Sequence, residues 1–95
     1  MVLDMENKIS KEKIEKYFEI TKRALEIVKK NIIKKDEAKQ IIEMASNYVS
    51  DADHFFKEDD WVNAFAALNY AHGWIDSGAR LRIFNVSDSK LFTIP

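Results

Sequence analysis

The sequence predicts an all-α protein, an up-down-up three-helix bundle with a short C-terminal tail. Three observations predict it. Apolar residues recur at three- and four-residue spacing through three long segments, the period of one helical face. Breakers are scarce: the chain holds two glycines and one proline. The gaps between segments are short, which makes neighbouring helices antiparallel. All 95 residues read as one domain, with helices over about 10–31, 36–57 and 60–84 and a tail over 85–95.

The first helix starts at Ser10, whose hydroxyl can cap the free N–H groups of the first turn. Ile9 before it and Ile14 inside it form a hydrophobic staple. Its apolar stripe is Ile14, Tyr17, Phe18, Thr21, Ala24, Leu25, Val28 and Ile32. The second helix takes Asp36 as its cap and buries Ala38, Ile41, Ile42, Ala45, Tyr48, Val49, Ala52, Phe55 and Phe56. A break falls at residues 57–60, KEDD. Consecutive acids suit a helix start, where the macrodipole favours negative charge.

The third helix is capped by Asp59 or Asp60. Its seam is Trp61, Phe65, Leu68, His72, Ile75 and Ala79, a coiled-coil-like alternation of four and three. Beside the seam runs a strip of small residues, Ala64, Ala67, Ala71 and Gly78. A helical glycine costs about 1 kcal/mol relative to alanine, so something must compensate. For Gly78 the expected compensation is close approach of another helix's backbone, with Trp74 as cover. Gly73 lies away from the seam, beside Ala66 and Ser77. It is either a tolerated surface residue leaving room for Tyr70 and Trp74, or part of a shallow face that receives the tail or another subunit. The tail carries Leu91, Phe92 and Ile94, and is expected to dock on a groove or to pair as an extended segment.

Composition bounds the function. Hydrophobic residues at 46% with charged residues at 33% describe a folded, well-solvated protein. Without cysteine there is no disulfide and no thiolate chemistry. No apolar run reaches the about 18 residues of a membrane helix, so no membrane partner is expected. The opening MVLDMENKIS lacks a basic-then-apolar leader, and a cytoplasmic location is expected. Net charge is −1 but uneven. Residues 8–35 carry ten Lys or Arg against four Glu; residues 36–76 carry two Lys against nine acids. This asymmetry reads as attraction between packed elements, or as a basic surface for an anionic partner.

Three polar constellations are candidates. Asn69, His72, Asp76 and Arg80 align as a ridge at the core's edge, with Asp76 able to reach both His72 and Arg80. The ridge suits an anion or small-molecule contact, half of a catalytic site, or a boundary network that fixes the third helix. No nucleophile accompanies it, so no catalytic residue is assigned. Lys29, Lys30, Lys34 and Lys35 bracket a turn and could grip phosphates, although no arginine or aromatic reading surface joins them. Asp51 and His54 have metal-ligand spacing. His72 would lie about 12 Å further along the bundle axis, so the two histidines do not share a metal. No metal and no cofactor are expected.

The stretch DADHFFKEDDWVNAFAALNYAHGWIDSGARL resembles a family of small archaeal proteins known as domain of unknown function three hundred and fifty-seven. The resemblance runs from Tyr48 to Leu81. It is strongest at Ala52, Asp53, Phe55, Phe56, Ala64, Ala67, Tyr70, Ala71, His72, Gly73, Trp74, Asp76, Gly78 and Leu81, and LFTIP looks like the family's usual ending. It implies an up-and-down helical bundle and carries no activity. The chain departs from the pattern at Asp59 and Asp60, where a turn glycine is expected, and at Arg82, where a small residue is expected. The arginine that helical nucleases set shortly before their histidine is missing before both His54 and His72, which argues against an RNase.

The expected function is a non-enzymatic interaction module acting on a protein partner or on itself as a homodimer. Nucleic-acid or nucleotide-anion binding at the lysine turn is a less favoured alternative, and a small-molecule site on the Asn69–Arg80 ridge is another.

Overall fold

A computed structural model describes residues 9–92. Residues 1–8 and 93–95, Ile94 of the tail among them, lie outside the described residues. The chain forms α1 (Lys11–Lys29), α2 (Lys35–Lys57) and α3 (Trp61–Arg80), a three-helix bundle. α3 is central: it packs against both other helices, most extensively against α2, whereas α1 and α2 touch each other least. Among the described residues no helix is long and apolar enough to cross a membrane.

α1 begins as its sequence predicts. The Ser10 side chain accepts from the Lys13 N–H at 3.1 Å. Ile9 packs against the cluster that holds Ile14, which completes the staple. The start of α2 differs. Its N-cap is Lys34, which makes no side-chain cap bond, and Asp36 lies inside the first turn beside Glu37. There the acids act on the macrodipole rather than as caps. The Ile33 and Lys34 N–H groups instead donate to the Ile83 carbonyl, at 2.8 and 3.2 Å. A tertiary partner therefore satisfies the backbone just ahead of this helix.

α3 stops at Arg80, four residues sooner than expected, and the tail begins correspondingly early. The cause is a Schellman cap. The Ile83 N–H donates to the Gly78 carbonyl (2.9 Å) and the Arg82 N–H to the Ala79 carbonyl (3.2 Å), with Arg82 in the left-handed region at φ 59°. The α2–α3 turn repeats the motif. Asp60 N–H bonds to Phe55 O (2.9 Å) and Asp59 N–H to Phe56 O (3.1 Å), with Asp59 at φ 57°. Asp60 then caps α3 through its carboxylate, accepting from the Asn63 N–H and side-chain amide.

The tail does both things expected of it. Asn85 N–H pairs with the Asn31 carbonyl (2.8 Å), and an isolated antiparallel bridge joins Ile32 to Phe84. Beyond it, Val86, Leu91 and Phe92 sink into the core. They complete one cluster with Leu25, Val28, Ile41 and Ile75; a second cluster, built on Ile14, Phe18 and Leu68, fills the other end. The small strip is buried along its whole length, from Ala64 to Gly78. At Gly78, however, the close neighbour is a side chain, not a helix backbone. A Cβ there would lie 2.7 Å from Phe84 Cδ2, closer still to its Cε2, and 3.1 Å from Ile41 Cδ1. Trp74 is no cover for the strip; it is 38% exposed and borders an open groove.

Candidate functional site

Two helices with matching spacing build a cleft. α1 contributes Lys13, Lys16, Tyr17 and Ile20, and α3 contributes Asn69, His72, Gly73 and Asp76. Each set follows i, i+3, i+4, i+7 and so lies on one face of its helix. Lys90 from the tail closes one side, and the cleft has a volume of about 570 Å³. Three ridge residues, Asn69, His72 and Asp76, therefore share this cleft. Arg80 is exposed at the end of α3 and is not part of its lining.

His72 is held on both ring nitrogens. Nε2 lies 2.7 Å from the Leu91 carbonyl, an acceptor, so this nitrogen carries a proton. Nδ1 lies 3.4 Å from the Thr21 hydroxyl, which donates to it when the ring is neutral. Asp76 Oδ1 stands 3.7 Å from Nε2. Thr21 sits on the apolar stripe of α1 and is 1% exposed, and this bond gives its buried hydroxyl a partner. The imidazole thus fastens the tail across α3 to α1. That arrangement fixes the orientation of the ring.

The lysine turn is organised differently. Lys29, Lys30, Lys34 and Lys35 are all exposed. Lys29 pairs with Glu26 at 3.5 Å within its own helix. Lys35 borders a shallow depression together with Lys39, Asp36 and Glu43, so its charges balance there. The four side chains do not converge on a cavity. His54 is exposed and lies against Phe55, with ring centroids 5.8 Å apart.

On the other side of Gly73, α3 presents Tyr70, Trp74, Ser77 and Leu81, with Ile41 of α2 completing a groove of about 440 Å³. Tyr70 is 64% and Leu81 63% exposed. The Tyr70 ring stacks on Tyr48 at 5.4 Å, which fixes its orientation. Among the described residues, nothing beyond its own stretch of helix lies within 4 Å of where a Gly73 Cβ would be.

A family model described as a protein of unknown function (DUF357) matches residues 16–84. The chain belongs to this family. The DUF357 match takes in α1 from Lys16 onward, all of α2 and α3, the ridge, the lysine turn and the first residues of the tail; Lys13 and Lys90 of the cleft lie outside it. No curated protein and no solved structure matches the chain.

Sequence reasoning missed Lys13, Lys16 and Lys90 as site residues. The first two border the apolar stripe of α1, and that position was their only signal. Which α3 residues they would face depends on the rotation of both helices, and Lys90 depends on the tail's path.

Proposed function

We propose that this chain is a non-enzymatic interaction module of the cytoplasm that works as a homodimer, its copies meeting through the outer face of α3. One observation carries the reading: Gly73 is a helical glycine with open space where its side chain would be, flanked by exposed Tyr70, Trp74 and Leu81. Its cost of about 1 kcal/mol has no compensation within the chain, unlike that of Gly78. Close approach of a second backbone would supply one. Gly73 and Ser77 are four apart, the small-residue spacing that lets two helices cross closely. A two-fold axis at Gly73 would set each copy's aromatic residues into the other's groove. Aromatic side chains are enriched at protein interfaces, where they bury large areas. The hydrogen bonds of His72, to Thr21 of α1 and to Leu91 of the tail, give that ring a structural task within the fold.

Sedimentation equilibrium across a concentration series tests this. A monomer–dimer equilibrium is expected, shifted to monomer by Trp74→Glu. A wild-type protein that stays monomeric at millimolar concentration overturns the homodimer. If such a monomer also captures no other protein, the interaction reading falls with it.

A further inference from the structure

We propose that the cleft between α1 and α3 binds the phosphate of a small phosphate monoester, gripped by Lys13, Lys16 and Lys90. The cleft lies on the α1 side of α3, and Asn69 and Gly73 border both it and the groove of the dimer contact, so the two proposals are tested by different measurements. Its charge selects the ligand. Three lysines and one acid, Asp76, line the cleft, which leaves it at +2 with His72 counted as neutral; the Lys13 ammonium lies 5.6 Å from the Phe65 ring centroid. A phosphate monoester carries about −1.5 to −2 at pH 7 and so matches it, whereas a single carboxylate would leave a positive charge uncompensated. Among the described residues, no ion pair engages any of the three lysines. Lysine binds phosphate as a point charge, without the fork geometry that arginine imposes.

The cleft also has room and shape for an organic body. Its volume of about 570 Å³ lies within the roughly 300–1,000 Å³ typical of small-molecule sites. Tyr17 supplies a wall whose ring is already fixed, edge-on to Phe65 at 5.0 Å and 84°. The lysine turn at residues 29–35 offers charge but no such walls.

The test titrates the full chain with adenosine 5′-monophosphate, glucose 6-phosphate and glycerol 3-phosphate, each beside its unphosphorylated counterpart, by calorimetry and amide NMR. At least one monoester is expected to shift the amides of residues 13–20, 69–76 and 90, while its counterpart does not. Lys13→Gln with Lys16→Gln should weaken that binding about tenfold or more, since two charge-assisted contacts are lost. Lys29→Gln with Lys34→Gln should leave it unchanged. Circular dichroism checks the fold of each variant. Independently of any variant, wild-type affinity should fall as salt rises. The proposal is overturned by silence of the cleft amides with every monoester at millimolar concentration. Equal binding of the unphosphorylated partner, shifts centred on residues 29–35, or salt-independent affinity would overturn it too.

Discussion

Both glycines lie inside α3, and they answer to different forces. Gly78 makes room for the Phe84 ring, which is fully buried. Gly78→Ala would overpack this contact, and a loss of about 1–3 kcal/mol is expected in chemical denaturation. Gly73 meets nothing. Gly73→Ala is expected to stabilise the monomer by about 0.5–1 kcal/mol, measured at a concentration too low for self-association. The pair therefore moves in opposite directions, although one residue type is replaced by the same other. The chain puts no glycine where one would usually be found. Asp59 and Arg82 occupy the left-handed positions of two Schellman caps, at φ 57° and 59°. A left-handed residue with a side chain costs roughly 1–2 kcal/mol. Arg82→Gly should therefore raise stability by about 1 kcal/mol, less the exposed 3.3 Å bond from Arg82 to Asn85. Asp59→Gly should gain less, because aspartate tolerates this conformation better than arginine does. These are the positions where the resemblance to DUF357 leads one to expect a turn glycine and a small residue, and the backbone supplies the reason.

Among the elements, the tail carries more than its length suggests. It pairs with the α1–α2 turn, contributes Phe84 to the core and is fastened through His72. Phe84→Ala should cost about 3–5 kcal/mol, as expected of a large aromatic removed from a core. His72→Ala should cost about 1–3 kcal/mol, since it orphans the buried Thr21 hydroxyl and the Leu91 carbonyl. Hydrogen exchange separates the two effects. In His72→Ala the amides of residues 86–92 should lose protection before those of the helices, because the latch is local. In Phe84→Ala protection should fall across the whole cluster that Phe84 shares with Leu25, Ile41 and Ile75. The helices themselves were legible beforehand. Ser10, Ile9 and Ile14 mark the start of α1 with chemistry confined to a few residues. Asp36 was misleading because a good capping residue sits within the first turn of a helix whose preceding backbone is satisfied by Ile83 instead.

For the whole molecule, the central place of α3 is the organising fact. Its buried strip faces inward while its outer face keeps Tyr70, Trp74 and Leu81 in water. A homodimer through that face would bind the folded chain and not the unfolded one, so stability should depend on concentration. The melting temperature of the wild type is expected to rise across a hundredfold concentration series, and that of Trp74→Glu to stay flat; calorimetry measures both. The uneven charge along the chain acquires a place at this scale as well. Lys13 and Lys16 of the basic first segment and Asp76 of the acidic middle line one cleft, together with Lys90 of the tail.

By itself, the sequence determined three helices, their buried stripes, the Ser10 cap and the break near residue 58. Each depends on residues within a turn or two of one another, because a helix satisfies its own backbone and shows its inner face as a period. Only the tertiary structure decided the early end of α3, the docking of the tail and the make-up of the cleft. Those rest on partners far apart in the chain, such as Thr21 with His72, His72 with Leu91, and Ile33 with Ile83. Neither member of such a pair carries a local mark of the other. Their meeting is settled by how each helix rotates about its axis when the core closes.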